Sequence, residues 1–491
     1  MMEKTIIATR PVEAIVKDCL ERISHVKFQE LEAADLVRDR DNATSKESKD
    51  AIQKQIDAVQ IGPEAEAVIV AEIIRERLQD IDSGIFFDES GSCYIYNGKC
   101  YELLRVADAK HFFTDAYSRM GVPKNQAGTV STAKRLIEQA AYTLYKPIPK
   151  PEKGVSKINT LNYTLEIRDG KVTPQGHKPE DFFFHVLPYG YDPAAACPLF
   201  KNFLNEVLPG DIQLPLQEFI GCCLDPGVKL EKALVCVGTG MNGKSVFFNV
   251  VSYVLGTDNV TNFNINSLCE DKSSTRILIA NKLLNYSSDF NGKIWSNGIF
   301  KQMVSGEPLE AKRLYQDPEI IRRYARLAFN TNQMPDSSDT SAGFRRRLLP
   351  VEFAVKISKD REDPHLSEKL IQEASGILNW AIEGLKRYIA NGYKLSYSAM
   401  LDEKEREYQE ETESVCMFIT AFGYQKSDKQ TTKLSDLVVE YRQYCDTHSL
   451  KAETKSEVKS RLRDLGFDVI QEGNKAIEIG ISRMGCLPFP R

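Results

Sequence analysis

Between residues 233 and 352, short apolar runs alternate with helical patterns. ALVCV (233–237), KLLNYSS (282–288) and RLAFNT (326–331) read as strands, and SVFFNVVSYVL (245–255) reads as a helix. Apolar runs of this length, separated by helical periodicity, predict strands covered on both faces, hence an α/β unit. Upstream the pattern differs. Residues 1 to about 80 read as helical and polar, with a sparsely hydrophobic stretch at 38–55. After Pro63, EAEAVIVAEIIRERL carries a nearly continuous apolar face. GIFF, CYIY and KCYELL then surround Asn97-Gly98, a hairpin signature, and NTLNYTLEIRDGKV places another turn at Asp169-Gly170. Helix returns in LFKNFLNEVLPG and LPLQEFIGCCL. Beyond the α/β unit, DEKEREYQEETES (402–414) predicts a charged linker helix. Two further helix patterns and a β pair around Gly473-Asn474 predict a winged helix. The chain therefore divides into a helical region (1–82), a small α+β region (83–190), an α/β domain (191–395), a linker helix (396–414) and a C-terminal winged helix (415–491).

The segment GTGMNGKS (238–245) follows the first strand directly and fits G-x-x-x-x-G-K-[ST]. Gly238, Gly240 and Gly243 permit the tight backbone that turns successive N–H groups toward phosphates, with Thr239, Met241 and Asn242 completing the loop. Lys244 is placed to reach the β- and γ-phosphates, Ser245 to ligate Mg²⁺, and the helix that begins there points its positive end at the anion. ATP and Mg²⁺ are the expected ligands.

A phosphate loop does not by itself distinguish a kinase from a motor. Asp289 ends the strand LLNYSSD, where an acid would hold Mg²⁺ or orient water. Asn332, after RLAFNT, is suited to sense a γ-phosphate. Arg345, Arg346 and Arg347 precede an apolar strand, and one could act as an arginine finger across a subunit boundary.

Composition narrows the partners. A net charge of −5 argues against a protein that coats duplex DNA with its whole surface, though not against a basic channel or module. The stretch from Ser414 to the end has 12 Lys plus Arg against 10 Asp plus Glu, with Lys455, Lys459, Arg461 and Arg463 on its second helix. Eleven cysteines without a C-x-x-C pair, Cys222 and Cys223 among them, read as reduced core thiols. No run of 18 apolar residues occurs and charges interrupt the N-terminal segment, so a cytoplasmic chain with no membrane partner is expected.

The order GTGMNGKS, KLLNYSSDF, FKQMVSGEPLEAKRLYQDP, ARLAFNTNQMP, DTSAGFRRRLLPVEF resembles the superfamily 3 helicases, specifically the C-terminal helicase module of phage and plasmid primase-helicases, over about 160–390. The resemblance implies an AAA+ hexamer that hydrolyses ATP between subunits and draws single-stranded DNA through its centre, in the replication of a phage, plasmid or integrated element. It matches Gly243, Lys244 and Ser245 to the Walker A motif, Asp289 to the Walker B acid, Asn332 to the sensor, and Arg345 or Arg346 to the finger. Glu307 to Tyr315 matches the channel hairpin, whose Lys312 and Arg313 would grip DNA phosphates. Ser288 stands where the family often has a second acid, which leaves the catalytic base open. The chain also leaves little room for an upstream primase: Asp80-Ile81-Asp82 resembles a polymerase metal site but lacks a sheet before it, and a separate primase is a possible partner. A second reading is an initiator or assembly platform that binds origin duplex through its C-terminal module and uses ATP only to set its oligomeric state. A third is a small-molecule kinase, against which the hairpin, the arginine run and the C-terminal module argue.

Overall fold

Five parallel strands form the central sheet, in the spatial order Leu348–Glu352, Ala233–Val237, Arg326–Thr331, Leu284–Ser288 and Val260–Thr261. The computed structural model describes residues 9–288, 298–313, 318–332, 334, 342–358, 362–448, 450, 452–471 and 476–483, and for 342, 409–412 and 483 the backbone alone. The strand after the phosphate loop's own helix, Val260–Thr261, is too short to be seen in the apolar pattern.

Alternation along Ala233–Val237 shows how the sheet is covered. Leu234 and Cys236 pack on one face with the helices Lys244–Leu255, Gln213–Cys223 and Ala374–Ala390. Ala233 and Val235 face the other core, with Ile265–Cys269 and Gly298–Ser305. Two of the covering helices touch closely because each offers a glycine. A Cβ on Gly221 would lie 2.4 Å from the Ala381 carbonyl oxygen, and one on Gly384 would lie 2.4 Å from that of Gln217. The fully buried Glu218 holds the same pair together, accepting from Arg387 Nε at 2.6 Å and from the Ser396 backbone N–H at 2.7 Å.

The helices Val12–Glu21, Pro63–Gln79, Val106–Arg119 and Val130–Thr143 share one core with the antiparallel strands Gly84–Phe87, Cys93–Tyr96 and Tyr101–Leu104. The polar stretch becomes two helices, Ala34–Asn42 and Lys46–Asp57, that bury only Ile56. A second meander, Val155–Asn159, Thr164–Arg168 and Lys171–Gln175, contributes Ile158, Leu165 and Ile167 to the core of the central sheet instead. Its turn is the one expected: Arg168 pairs with Lys171, and Asp169 and Gly170 take φ of 50° and 72°. The two β regions grouped as 83–190 therefore pack into different cores.

The charged helix Ala399–Thr412 lies along the edge strand Leu348–Glu352. Lys404 Nζ is 2.6 Å from Glu352 Oε2, and Tyr408 is buried in the sheet's second core. Beyond it, the helix Ser414–Ala421, the strand Tyr424–Lys433, the helices Leu434–Thr447 and Lys455–Asp464, and the strands Val469–Ile470 and Glu478–Arg483 enclose a separate core. The last strand lies between the other two, antiparallel to both. Among the described residues no helix is long and apolar enough to cross a membrane. The ten described cysteines are all buried, and burial pushes the Cys223 thiol up to about 12.

Candidate functional site

The loop from Gly238 to Gly243 joins the second strand of the sheet to the twelve-residue helix Lys244–Leu255, at the carboxyl ends of the strands. This edge is where open parallel sheets bind ligands. Gly240, Met241 and Gly243 take φ of 100°, 50° and 84°, the left-handed region that a tight loop of converging N–H groups needs. At Gly238 the constraint is space, since a Cβ there would lie 2.2 Å from Asn242 Nδ2 and 2.7 Å from the Phe353 carbonyl oxygen. The loop is fastened on both sides. Gly238 donates its N–H to the Thr331 carbonyl (3.1 Å), Asn242 Nδ2 donates to the Phe353 carbonyl (3.2 Å), and Ile357 donates to the Met241 carbonyl (2.7 Å).

Lys244 is buried, and its ammonium donates to the Gly238 carbonyl. Burial lowers its pKa below the ordinary lysine value, because the charge is held in a poorly solvated place. Thr239 and Ser245 are exposed, and no acidic residue occupies the first turn of the helix, whose positive end faces the loop.

Register brings the ends of three strands to the same edge. Thr331 is level with Val237, and Asn330 with Ser288, so the ends of the three strands lie side by side. Asp289 follows Ser288 directly but lies outside the described residues. Asn332 follows Thr331 and is exposed. The sequence did not single out Asn330, whose Nδ2 lies 3.2 Å from the Tyr286 hydroxyl, nor Tyr286, whose ring stacks on Phe248 at 3.9 Å. Alternation along RLAFNTN was the available signal, since it puts residues 330 and 332 on one face.

The arginines occupy the other end of the sheet. The Ala233 N–H donates to the Arg347 carbonyl, so Arg345, Arg346 and Arg347 stand at the amino ends of the strands. The phosphate loop is five residues away along Ala233–Val237, about 17 Å at the usual strand rise. That is beyond the reach of an arginine side chain. Arg345 Nη1 is 3.1 Å from Glu413 Oε2, Arg347 donates to Ser305 Oγ (3.1 Å) and to the Gly343 carbonyl, and Arg346 is exposed.

The same end carries an antiparallel hairpin, Leu309–Lys312 with Pro318–Ile321, whose second strand leads into the start of Arg326–Thr331. Lys312 is exposed near its tip, whereas Arg313 Nε lies 3.3 Å from Glu319 Oε1. The hairpin is tied to the α/β body by the buried Arg276, which donates to the carbonyls of Glu310 (2.7 Å), Leu268 (2.9 Å) and Glu270. In the C-terminal module, Lys455 and Arg463 are exposed and Lys459 is half-buried, but Arg461 turns inward, its Nε 3.3 Å from Glu413 Oε1 and 3.5 Å from Glu453 Oε1. Asp80 is paired with Arg77 at 2.6 Å, and among the described residues no group of His, Cys, Asp and Glu side chains could hold a metal.

Two family models match the chain. One, described as "D5 N terminal like", covers residues 71–209, and the other, "Family of unknown function (DUF5906)", covers 236–347, from the phosphate-loop strand to Arg347. The chain is 23% identical over 276 residues to "Putative primase C962R" of African swine fever virus, a match covering 51% of this chain and 28% of that protein. It is 25% identical over 221 residues to "Putative helicase L207/L206" of Acanthamoeba polyphaga mimivirus, covering 39% and 23%. The chain thus spans only about a quarter of the length of these viral relatives. Among solved structures, two apo forms of the NrS-1 C terminal region align over 82% of this chain and 97% of theirs, at 11% and 13% identity and a TM-score of 0.47.

Proposed function

We propose that this chain is an ATP-dependent DNA helicase of a replication machine, acting as a homo-hexameric AAA+ ring on single-stranded DNA. The observation that carries this reading is the separation of the phosphate loop and the exposed Arg346 to opposite ends of one sheet. An arginine that cannot reach its own chain's phosphates can complete a neighbour's site, and closed repetition of that contact makes a ring. The similarity to viral proteins named as a primase and a helicase agrees with a replication role.

Within a subunit, the loop N–H groups and Lys244 hold the phosphates, and charge developing on the γ-phosphate is met from across the interface by Arg346. Asn332, exposed just beyond the strand Arg326–Thr331, is the residue proposed to sense the γ-phosphate, with Asn330 on the same strand before it. Ser245 offers Mg²⁺ a hydroxyl at the mouth of the loop, and Asp289 would be the second ligand; the ion supplies charge neutralisation between phosphates. Arg345 is the less suited of the two finger candidates, because Glu413 already holds it. The hairpin with Lys312, at the same end as Arg346, is the element proposed to track the DNA backbone. We read the C-terminal module as a winged helix from its helix–strand–helix–helix–strand–strand order, with its third helix, Lys455–Asp464, offering Lys455 and Arg463 to duplex origin DNA.

The deciding experiment is unwinding of a forked duplex labelled on one strand, by the intact chain and by Lys244→Ala. Strand release with ATP by the intact chain alone is expected. ATP hydrolysis without release would shift the reading to an initiator or platform in which nucleotide sets only the assembly state.

A further inference from the structure

Glu413 is fully buried at the break between the helix Ala399–Thr412 and the helix Ser414–Ala421, where the linker meets the C-terminal module. One carboxylate oxygen lies 3.1 Å from Arg345 Nη1, beside the proposed finger, and the other lies 3.3 Å from Arg461 Nε, on the helix Lys455–Asp464 of the C-terminal module. We infer that Glu413 is a positioning residue for ATP turnover: it draws Arg345 inward so that Arg346 faces the neighbouring subunit, and through Arg461 it makes that placement depend on how the C-terminal module is seated. The inference rests on the ring-ATPase reading above.

Three observations carry it. Adjacent arginines compete for the same space, and here the outer two are fixed inward, Arg345 by Glu413 and Arg347 by Ser305 and the Gly343 carbonyl. Arg346 remains facing out. A carboxylate without exposure is tolerated when cations lie beside it, and Glu413 has Arg345 beside one oxygen and Arg461 beside the other. Finally, the Glu413 side chain spans two separate cores, since Arg345 belongs to the α/β domain and Arg461 to the module built around Val415, Tyr441 and Leu462. Duplex binding that reseats the helix Lys455–Asp464 would reach the finger through one carboxylate, with no other change in the sheet.

The test uses the full chain and DNA-free ATPase, with Arg346→Ala, Glu413→Gln and the double variant. The expected result is that Glu413→Gln lowers kcat at least about tenfold with KM for ATP within about twofold, and that the double variant is no worse than Arg346→Ala. Ring assembly, followed by sedimentation, is retained. Should Glu413→Gln not fold, Arg461→Gln leaves Glu413 paired with Arg345 and is expected to lower kcat about threefold at unchanged KM. Wild-type kcat in Glu413→Gln, or in Arg461→Gln where that is the variant that folds, overturns the inference if Arg346→Ala is strongly slowed but still measurable. So does a double variant markedly slower than Arg346→Ala, since the two residues would then act independently. If Arg346→Ala itself turns over as wild type does, the ring-ATPase reading fails first.

Discussion

Asn242 donates its side-chain amide to the carbonyl of Phe353, 3.2 Å away, and so closes the phosphate loop onto the chain leaving the adjacent edge strand. The Asn242 side chain is buried and no other residue type of similar size offers both an amide donor here and an acceptor toward the Lys244 N–H, 3.5 Å from its Oδ1. Asn242→Ala leaves the Phe353 carbonyl without this donor and the loop free to open. ATP should bind about tenfold more weakly, a cost of about 1.4 kcal/mol, in a fluorescent-nucleotide titration. Unchanged affinity would mean that the loop is held by its backbone contacts alone.

The hairpin predicts unequal effects for its lysine and its arginine. Lys312 is exposed, whereas Glu319 already offsets the charge of Arg313. Replacing Lys312 with Ala should reduce the slope of log affinity for single-stranded DNA against log salt by about 0.7 for each phosphate it no longer neutralises. Arg313→Ala should change it by less. Equal slopes in wild type and Lys312→Ala would remove the hairpin from the DNA path.

Much of this was legible in the sequence, for physical reasons that differ by element. ALVCV and RLAFNT are buried on both faces, so their apolar runs had to show. Asp169-Gly170 had to adopt a turn with positive φ, which few residue pairs tolerate. The strand Tyr424–Lys433 is invisible to the apolar pattern because it is polar and largely exposed, pairing through its backbone with Glu478–Arg483 and bulging between Lys426 and Thr431. Periodicity has nothing to report in such a strand. The arginine run was visible as a composition, but the inward turn of Arg345 depends on Glu413, 68 residues away, and no local pattern encodes that pairing. Asp289 lies outside the described residues, so its reading rests on the sequence alone.

Arg461 separates stability from DNA binding in the C-terminal module. The sequence groups it with Lys455, Lys459 and Arg463, but it is engaged with Glu413 and Glu453 while Lys455 and Arg463 are exposed. Lys455→Ala and Arg463→Ala should each weaken duplex binding in a salt-dependent way, by about 0.9 in the log–log slope, and leave the melting temperature unchanged. Arg461→Ala should instead destabilise the chain by about 1–3 kcal/mol, because it removes the cation beside Glu413 Oε1 and Glu453 and leaves Glu413 with Arg345 on its other oxygen. Calorimetry beside a salt titration distinguishes them, and a stable Arg461→Ala with weakened duplex binding would return that residue to the DNA-contacting face.

His185 makes stability depend on acid. Its ring is buried edge-on to Phe183, with ring centres 5.7 Å apart, and its pKa is pushed down to about 4, by burial first and then by the charges of Arg323 and Lys282. The unfolded chain takes up the proton near the ordinary value of 6.5, whereas the folded chain refuses it until about 4. Between those values the unfolded state binds more protons, so stability falls as pH drops from 6.5 to 4, by up to about 3 kcal/mol from this group, and the loss levels off below that. Carboxylates titrate in part of the same range, so the informative quantity is the difference between wild type and His185→Phe. The wild-type melting temperature should fall away from that of the variant across this window. Parallel curves would show that the imidazole is hydrated or already charged in the folded chain, and the interface between the Val155–Asn159 meander and the α/β domain would then owe nothing to a neutral histidine.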